Sequence, residues 1–236
     1  MSEPRLLRLA PSASVKEKRL VALLAGRRAD DPALAEVVED AHLLGSLELS
    51  GLATSWDEVR ASRRGEPAPE FIAALRSASR AVARESPLTV EALLEWHRAA
   101  TGSSVGLRTT ERSRDPGPPP APAVFVRSRL AIAEHWLGSD SAHELGPVQA
   151  AGLALARIVE IAPFHDGNGR VSRLAAAHLL RRGGVRTPIL VGGDRPRFEA
   201  SLQSAFQLDM GPLVALLEDA SERALDVMIQ TLEGRG

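Results

Sequence analysis

The side chains that could perform chemistry are concentrated between residues 162 and 173. This stretch reads Ala-Pro-Phe-His-Asp-Gly-Asn-Gly-Arg-Val-Ser-Arg. Gly167 and Gly169 can adopt positive φ, which lets successive backbone N–H groups converge on one point. Because a helical pattern follows, the dipole of that helix adds to the attraction for an anion. The sequence therefore predicts a nest for phosphate at the start of a helix.

Two arginines and one carboxylate flank the predicted nest. Arg170 and Arg173 are three residues apart in the first helical turn, so we expect both guanidinium groups on the same face. Two cations at a helix N-terminus oppose the helix dipole, and a bound polyphosphate would relieve that conflict. Asp166 offers the hard oxygen ligand that Mg²⁺ prefers when it bridges phosphates. The alternative interpretation is a glycine turn with two solvated arginines.

Helical periodicity dominates the elements that must position this segment. Residues 147–161 and 171–180 read as helices on either side of it, and Ser55 and Glu58 have the spacing of a capping box. Gly45 is expected to interrupt the helix that starts near Pro32. Thr187–Val191 is the only convincing strand-like run. The predicted class is all-α with at most a small β element.

Composition limits the classes of protein to consider. The chain has 236 residues, of which 44% are hydrophobic, 25% charged and 3% aromatic, with no cysteine or tyrosine and a net charge of −1. This composition predicts a globular domain whose Leu, Ala and Val residues pack helices closely. The near-zero charge gives no electrostatic footprint for nucleic acid or an acidic membrane. We expect a soluble, cytoplasmic protein with no partner of either kind.

A proline-rich segment precedes the helix that starts near Val124. Prolines at 116, 118, 119, 120 and 122 exclude a helix or a central strand there. By itself this segment is either a plain linker or a functional loop.

The segment at 162–173 resembles the signature of the Fic family, His-Pro-Phe-x-(Asp/Glu)-Gly-Asn-Gly-Arg-x-x-Arg, and matches it everywhere except at the first position. Leu93 and His97 resemble the Leu-x-x-x-His of the family's preceding helix, and Gly106-Leu107-Arg108 resembles its Gly-x-Arg. The likeness covers about residues 87–210. It implies an all-α Fic-like helical bundle over residues 87–236, which includes a small β-hairpin flap. A helical extension over residues 1–86 would precede this bundle.

The family's usual activity is transfer of AMP from ATP to a protein hydroxyl. The resemblance implies that Asp166 holds Mg²⁺ and that Gly167, Asn168 and Gly169 seat the α- and β-phosphates. It also implies that Arg170 and Arg173 clamp the terminal phosphates. The partners would be ATP or another nucleotide and a protein with a Ser, Thr or Tyr hydroxyl. A sister branch that phosphorylates its target has lysine where Gly169 stands, so glycine favours nucleotidyl transfer.

By the same resemblance, the proline-rich segment is the flap that aligns the target by main-chain bonding, over roughly residues 115–123. Its candidate residues are Pro118, Pro119 and Pro120.

The family's catalytic base is absent. The first motif residue is the histidine that accepts the proton of the attacking hydroxyl, and here it is Ala162. General-base assistance is worth ~10²–10⁴-fold, so transfer should be nearly silent while nucleotide binding remains. Either histidine has been substituted, or the chain is a nucleotide-binding protein without catalysis. A third alternative keeps the enzyme but uses a different nucleotide-linked donor. His165 is a poor replacement base, because it is expected on another side of the loop.

Many Fic proteins carry an inhibitory helix reading (Ser/Thr)-x-x-x-Glu-(Gly/Asn), whose glutamate pairs with the second motif arginine. Residues 32–51 resemble such a helix, with Ser46 and Gly51 in place but Ser50 where the glutamate should be. Glu48 cannot replace it, because two residues along a helix is about 200° of rotation. The resemblance implies that Arg173 has no carboxylate partner. The alternative is an ordinary structural helix.

Overall fold

The computed structural model describes residues 11–25, 32–83, 85–112 and 120–234. Eleven α-helices lie in these ranges, together with 3₁₀ turns at Ala123–Phe125 and Gly192–Asp194. The helices are α1 (Pro11–Leu24), α2 (Pro32–Leu49), α3 (Trp56–Arg64), α4 (Glu70–Ala81), α5 (Val90–Thr101), α6 (Val126–Leu137), α7 (Asp140–Glu144), α8 (Pro147–Ile161), α9 (Asn168–Arg182), α10 (Arg195–Phe206) and α11 (Gly211–Glu233). The all-α class is therefore confirmed.

The centre of the fold is the pair α8 and α9, joined by the loop predicted to carry chemistry. One side of this pair packs against α5 in a core that includes Trp96, Phe164 and Leu174. The other side packs against α10 and α11 through a second cluster that contains Leu155 and Leu217. Both helices that border the loop are therefore held on two sides by buried apolar contacts.

The N-terminal helices share a core with the C-terminal helix. Leu20 of α1 and Leu34 of α2 are buried in one cluster with Leu225, Ile229 and Leu232 of α11. The division into residues 1–86 and 87–236 stays a prediction, and these contacts place its two parts against each other.

The predicted interruption of the second helix at Gly45 is wrong. Helix α2 continues through this residue to Leu49. A Cβ atom added to Gly45 would lie 1.5 Å from the carbonyl oxygen of Leu190. Glycine is needed here because another segment of backbone touches the helix, and it does not end the helix.

The predicted β elements are not found in the described residues, none of which lies in a strand. Thr187–Val191 is extended, but its backbone groups bond to helices. The amide of Ile189 donates to the Ala220 oxygen at 2.8 Å, and Arg223 donates to the Ile189 oxygen. Because its hydrogen-bond partners lie on a helix, this run forms no ladder of hydrogen bonds with a second strand. The β-hairpin flap is equally unsupported, and positions 113–119, with Pro118 and Pro119, lie outside the described residues.

The predicted capping box is confirmed at the start of α3. The Ser55 hydroxyl accepts from the Glu58 amide at 3.3 Å, and the Glu58 carboxylate accepts from the Ser55 amide at 2.8 Å. Such a cap stabilises a helix by about 1 kcal/mol. In the described part of the chain, no helix is both long enough and apolar enough to cross a membrane.

Candidate functional site

The predicted phosphate loop connects α8 to α9, and both of its ends have left-handed backbone. Ala162, with φ 47° and ψ 65°, ends α8, and its amide donates to the Ile158 oxygen at 2.9 Å. Gly167, with φ 80°, begins α9 as its N-cap. Left-handed backbone is uncommon for alanine, so other contacts must hold position 162 in this conformation.

Asn168 locks the loop through its side chain. Its amide oxygen accepts from the Phe164 amide at 2.9 Å, and its amide nitrogen donates to the Phe164 oxygen at 2.8 Å. The Phe164 ring is fully buried and stacks on His97, with 3.8 Å between ring centroids. The Nε2 atom of His97 lies 3.1 Å from the backbone carbonyl oxygen of Asp166. Burial lowers the pKa of this histidine. Because both polar atoms of the Asn168 side chain bond to Phe164, only the backbone N–H of Asn168 remains to bind a ligand.

The start of α9 has backbone N–H groups of the kind that the predicted nest requires. Val171 is the first residue whose amide bonds within the helix, to the Gly167 oxygen at 3.0 Å. The backbone N–H groups of residues 168–170, which form the start of the helix, have no acceptor within it. A Cβ at Gly167 would lie 2.9 Å from the Thr101 methyl group and would need a positive φ. Sterics and backbone conformation therefore both require glycine here.

The two arginines lie beside the start of α9 and bond to different helices. Arg170 donates to the Ala100 oxygen at the end of α5 and to Asp166. Arg173 instead reaches α2 on the other side. Each guanidinium still borders one glycine, because a Cβ at Gly167 would lie 3.7 Å from Arg170 Nη2 and a Cβ at Gly169 3.1 Å from Arg173 Nη1. Both cations therefore lie beside the loop, and their sharing of one face stays a prediction.

Arg173 is a buried cation whose hydrogen-bond partners are neutral. Its Nε atom donates to the Ser46 hydroxyl at 2.9 Å, and its Nη2 atom donates to the Ser46 carbonyl at 2.7 Å and the Ser50 hydroxyl at 2.6 Å. No ion pair found within the described ranges includes it. Burial, followed by the charges of Arg170 and Arg195, lowers the pKa of Arg173 to about 9. It stays protonated at neutral pH, so an anion would be stabilised beside it.

Asp166 is accessible to a metal ion. Its side chain is 88% exposed, and its Oδ2 atom lies 3.1 Å from Arg170 Nη2. The described residues contain no group of three or more His, Asp or Glu side chains placed to hold a metal. Mg²⁺ commonly binds through one or two carboxylates, phosphate oxygens and water, so a single exposed carboxylate beside a phosphate nest fits this ion.

The position for which the family resemblance implies a catalytic base is buried. Ala162 is 5% exposed and carries no proton acceptor. The exposed His165 lies with Nε2 at 3.3 Å from the Thr110 hydroxyl. Gly51 follows α2 with φ 75°, and Arg195 Nη2 lies 3.8 Å from the place of its Cβ.

Two arginines near the loop were not assigned a role from sequence. Arg195 donates to the Glu48 carbonyl at 2.7 Å and so holds the last turn of α2. Arg108 is fully buried and donates to the carbonyl of Ala162 at 2.7 Å. The Gly-x-Arg pattern at 106–108 was a signal for Arg108. For Arg195 the sequence offered none, because its contact depends on how two distant segments pack.

Comparisons with known proteins agree with this geometry. Residues 87–180 match the model of the Fic/DOC family. The chain is 33% identical over 149 residues to "Protein adenylyltransferase Fic" of Drosophila mojavensis, which covers 60% of this chain and 29% of that protein. The chain thus spans about a third of the length of the curated relatives it matches.

Solved structures are similar in fold. One is C. elegans Fic-1, with a TM-score of 0.76, 22% identity and coverage of 95% of this chain and 74% of that one. Another is a Fic domain-containing signaling protein from Bacteroides thetaiotaomicron, with a TM-score of 0.76, 19% identity and coverage of 94% and 98%. The fold and the motif loop agree with the family comparison, in which residues 87–180 match the Fic/DOC family model.

Proposed function

We propose that the loop between α8 and α9 binds Mg·ATP for transfer of AMP to a hydroxyl of a protein. The observation that carries this proposal is the buried Arg173, whose partners are neutral and whose guanidinium borders the nest at Gly169. A polyphosphate would supply the missing negative charge. The relatives named protein adenylyltransferase support the same reaction class.

In this reaction the target's hydroxyl oxygen attacks the α-phosphorus and pyrophosphate leaves as the Pα–O bond breaks. The amides at the start of α9 hold the α- and β-phosphates, and Arg170 and Arg173 hold the phosphates that depart. Asp166 would hold Mg²⁺, which would supply positive charge to neutralise part of the charge of the phosphates. Catalysis would consist mainly of positioning and charge stabilisation.

Ala162 limits the reaction because the hydroxyl proton has no acceptor at the position where the family has histidine. We therefore expect the chain as it stands to bind nucleotide and to transfer AMP very slowly. The same residue favours a second candidate, a nucleotide-binding regulator without catalysis. Restoring histidine and incubating with labelled ATP and lysate separates the two: label on protein supports the transferase, and tight ATP binding without label supports the regulator.

The identity of the donor is a separate question, because a phosphate nest does not read the base. We propose ATP on the strength of the named relatives. A calorimetric competition among ATP, UTP and CDP-choline tests this choice. Preferential binding of UTP or CDP-choline would support a different nucleotide-linked donor.

The end of α2 is proposed as the counterpart of the family's inhibitory helix, with Ser46, Ser50 and Gly51 in its pattern. The three hydrogen bonds from Arg173 to Ser46 and Ser50 support this placement. Because these partners carry no charge, a terminal phosphate can compete for Arg173. The flap residues around Pro120 remain the proposed surface for the target segment.

A further inference from the structure

The base of the flap is attached to the catalytic loop by a buried arginine. The Arg108 guanidinium donates to the carbonyls of Ile161 at 3.1 Å and Ala162 at 2.7 Å, where α8 ends. Its Nη2 atom also donates to the carbonyl of Ala121 on the far side of the flap. The Arg108 amide donates to the Pro163 oxygen at 2.9 Å. One side chain thus connects both ends of the flap with the position of the missing base.

An exposed glutamate completes the connection. Glu111 Oε1 accepts from the Ala123 amide at 2.7 Å, and Oε2 lies 3.7 Å from Arg108 Nη1. Burial lowers the pKa of Arg108, and the Glu111 charge acts in the opposite direction. Two side-chain hydrogen bonds therefore join the segment at 108–111 to the segment at 121–123, one from Arg108 and one to Glu111. We call the pair Arg108 and Glu111 the flap clasp.

The clasp explains how alanine is kept in left-handed backbone at position 162. The carbonyl of Ala162 accepts from Arg108, and its amide donates to the Ile158 carbonyl. A planar guanidinium with five donors can satisfy several carbonyls in one fixed geometry, which lysine cannot. The direction of the peptide at 162 is thus set by the same group that sets the flap.

We propose that Arg108 and Glu111 are positioning residues that align the backbone at 121–123, and a target segment bound along it, with the side chain at position 162. This inference rests on the proposed function. Neither residue is among those placed at the phosphate nest. Loss of the clasp should therefore impair use of the protein target and leave Mg·ATP affinity unchanged.

The first experiment tests the clasp on the full chain as it stands, by hydrogen exchange. Glu111→Ala should speed exchange at the Ala123 amide by about tenfold, because one charge-assisted hydrogen bond is lost. Glu111→Gln should retain protection, because its amide oxygen still accepts. Glu95→Ala, at an exposed glutamate on α5, is the control. Unchanged exchange at Ala123 in Glu111→Ala would overturn the clasp, whether or not the chain transfers AMP.

The second experiment tests positioning in the Ala162→His background. Glu111→Ala should lower label transfer from ATP to protein by about tenfold, with the KM for ATP unchanged and with recovery in Glu111→Gln. Arg108→Lys should behave like Glu111→Ala, and its melting temperature shows whether it folds. Full transfer by a Glu111→Ala variant whose Ala123 amide exchanges faster would overturn the positioning role. If Ala162→His itself transfers no label, the proposed function fails and exchange alone decides the clasp.

Discussion

The two ends of the loop between α8 and α9 differ in what they retain. At the phosphate end, Gly167, Gly169, Arg170 and Arg173 surround a helix N-terminus with free amides. At the base end, Ala162 is buried and has no group that accepts a proton. The backbone at this end is nevertheless held in left-handed conformation by Arg108.

This difference teaches that binding and proton transfer are built by separate parts of one loop. In the proposed function, glycine conformation, helix polarity and two guanidinium groups bind the phosphates, and none of them depends on the side chain at 162. The scaffold that would aim a side chain at 162 is also intact. If the proposed function holds, a histidine at position 162 should increase AMP transfer without changing nucleotide affinity.

The largest expected effect is a gain of transfer in Ala162→His. A general base contributes ~10²–10⁴-fold, so incorporation of label from α-labelled ATP into protein should rise by about that factor. Mg·ATP affinity, measured by calorimetry, should stay the same. Ala162→Asn is the matched control, since it adds a polar side chain that is no base. If both variants bind ATP and neither transfers label to protein, the loop end at position 162 lacks more than a histidine.

At the phosphate end, Arg173→Ala should weaken Mg·ATP binding by about 10–100-fold. A hydrogen bond to a charged group is worth about 1.5–3 kcal/mol, which converts to that range. Arg182→Ala, at the exposed end of the same helix, should bind as the parent chain does. The measurement is calorimetric titration of variants that keep the parent melting temperature. Equal affinity in both variants would remove Arg173 from the phosphate site.

A smaller effect is expected when a carboxylate is placed on α2. Ser50→Glu should lower Mg·ATP affinity by about tenfold, since an ionic partner of Arg173 competes with a terminal phosphate. Ser50→Gln has the same length without charge and should lose much less. The difference between the two variants, read by calorimetry, measures the charge effect alone. No difference would mean that Arg173 and the end of α2 do not control access of phosphate.

The smallest expected effect concerns the metal. Asp166→Asn should weaken ATP binding by about fivefold in Mg²⁺, because an exposed pair of charges is worth about 1 kcal/mol in water. In EDTA the same substitution should leave affinity unchanged or raise it slightly, as one negative charge near the phosphates is removed. Titrations in both buffers make the comparison. A loss of the same size in EDTA would exclude a metal-binding role for Asp166.

The sequence was sufficient for features that depend on neighbours along the chain. Helix α8 begins at Pro147 and ends at Ile161 as the periodicity predicts, and the Ser55–Glu58 capping box forms. The positive φ expected at Gly167 is found, whereas Gly169 lies in the first turn of α9 and is not among the glycines with positive φ. These features need no knowledge of distant contacts.

Features that depend on packing between distant segments could not be predicted. Gly45 reads as a helix stop until the Leu190 backbone is placed against it. Arg173 contacts Ser46 and Ser50, more than a hundred residues earlier, and no local pattern indicates this contact, which only the family resemblance implied. The extended run at 187–191 has strand-like residues, but its partners are the backbone and side chains of α11. Each error comes from a contact that no local pattern encodes.

The central claim is that the start of α9 binds a polyphosphate. Titration of the unaltered chain with AMP, Mg·ADP and Mg·ATP tests this claim most directly. Affinity should rise with each added phosphate, because the amides of α9 and the two guanidinium groups are then engaged in turn. Equal affinity for all three nucleotides, or no saturable binding of any of them, would contradict the account.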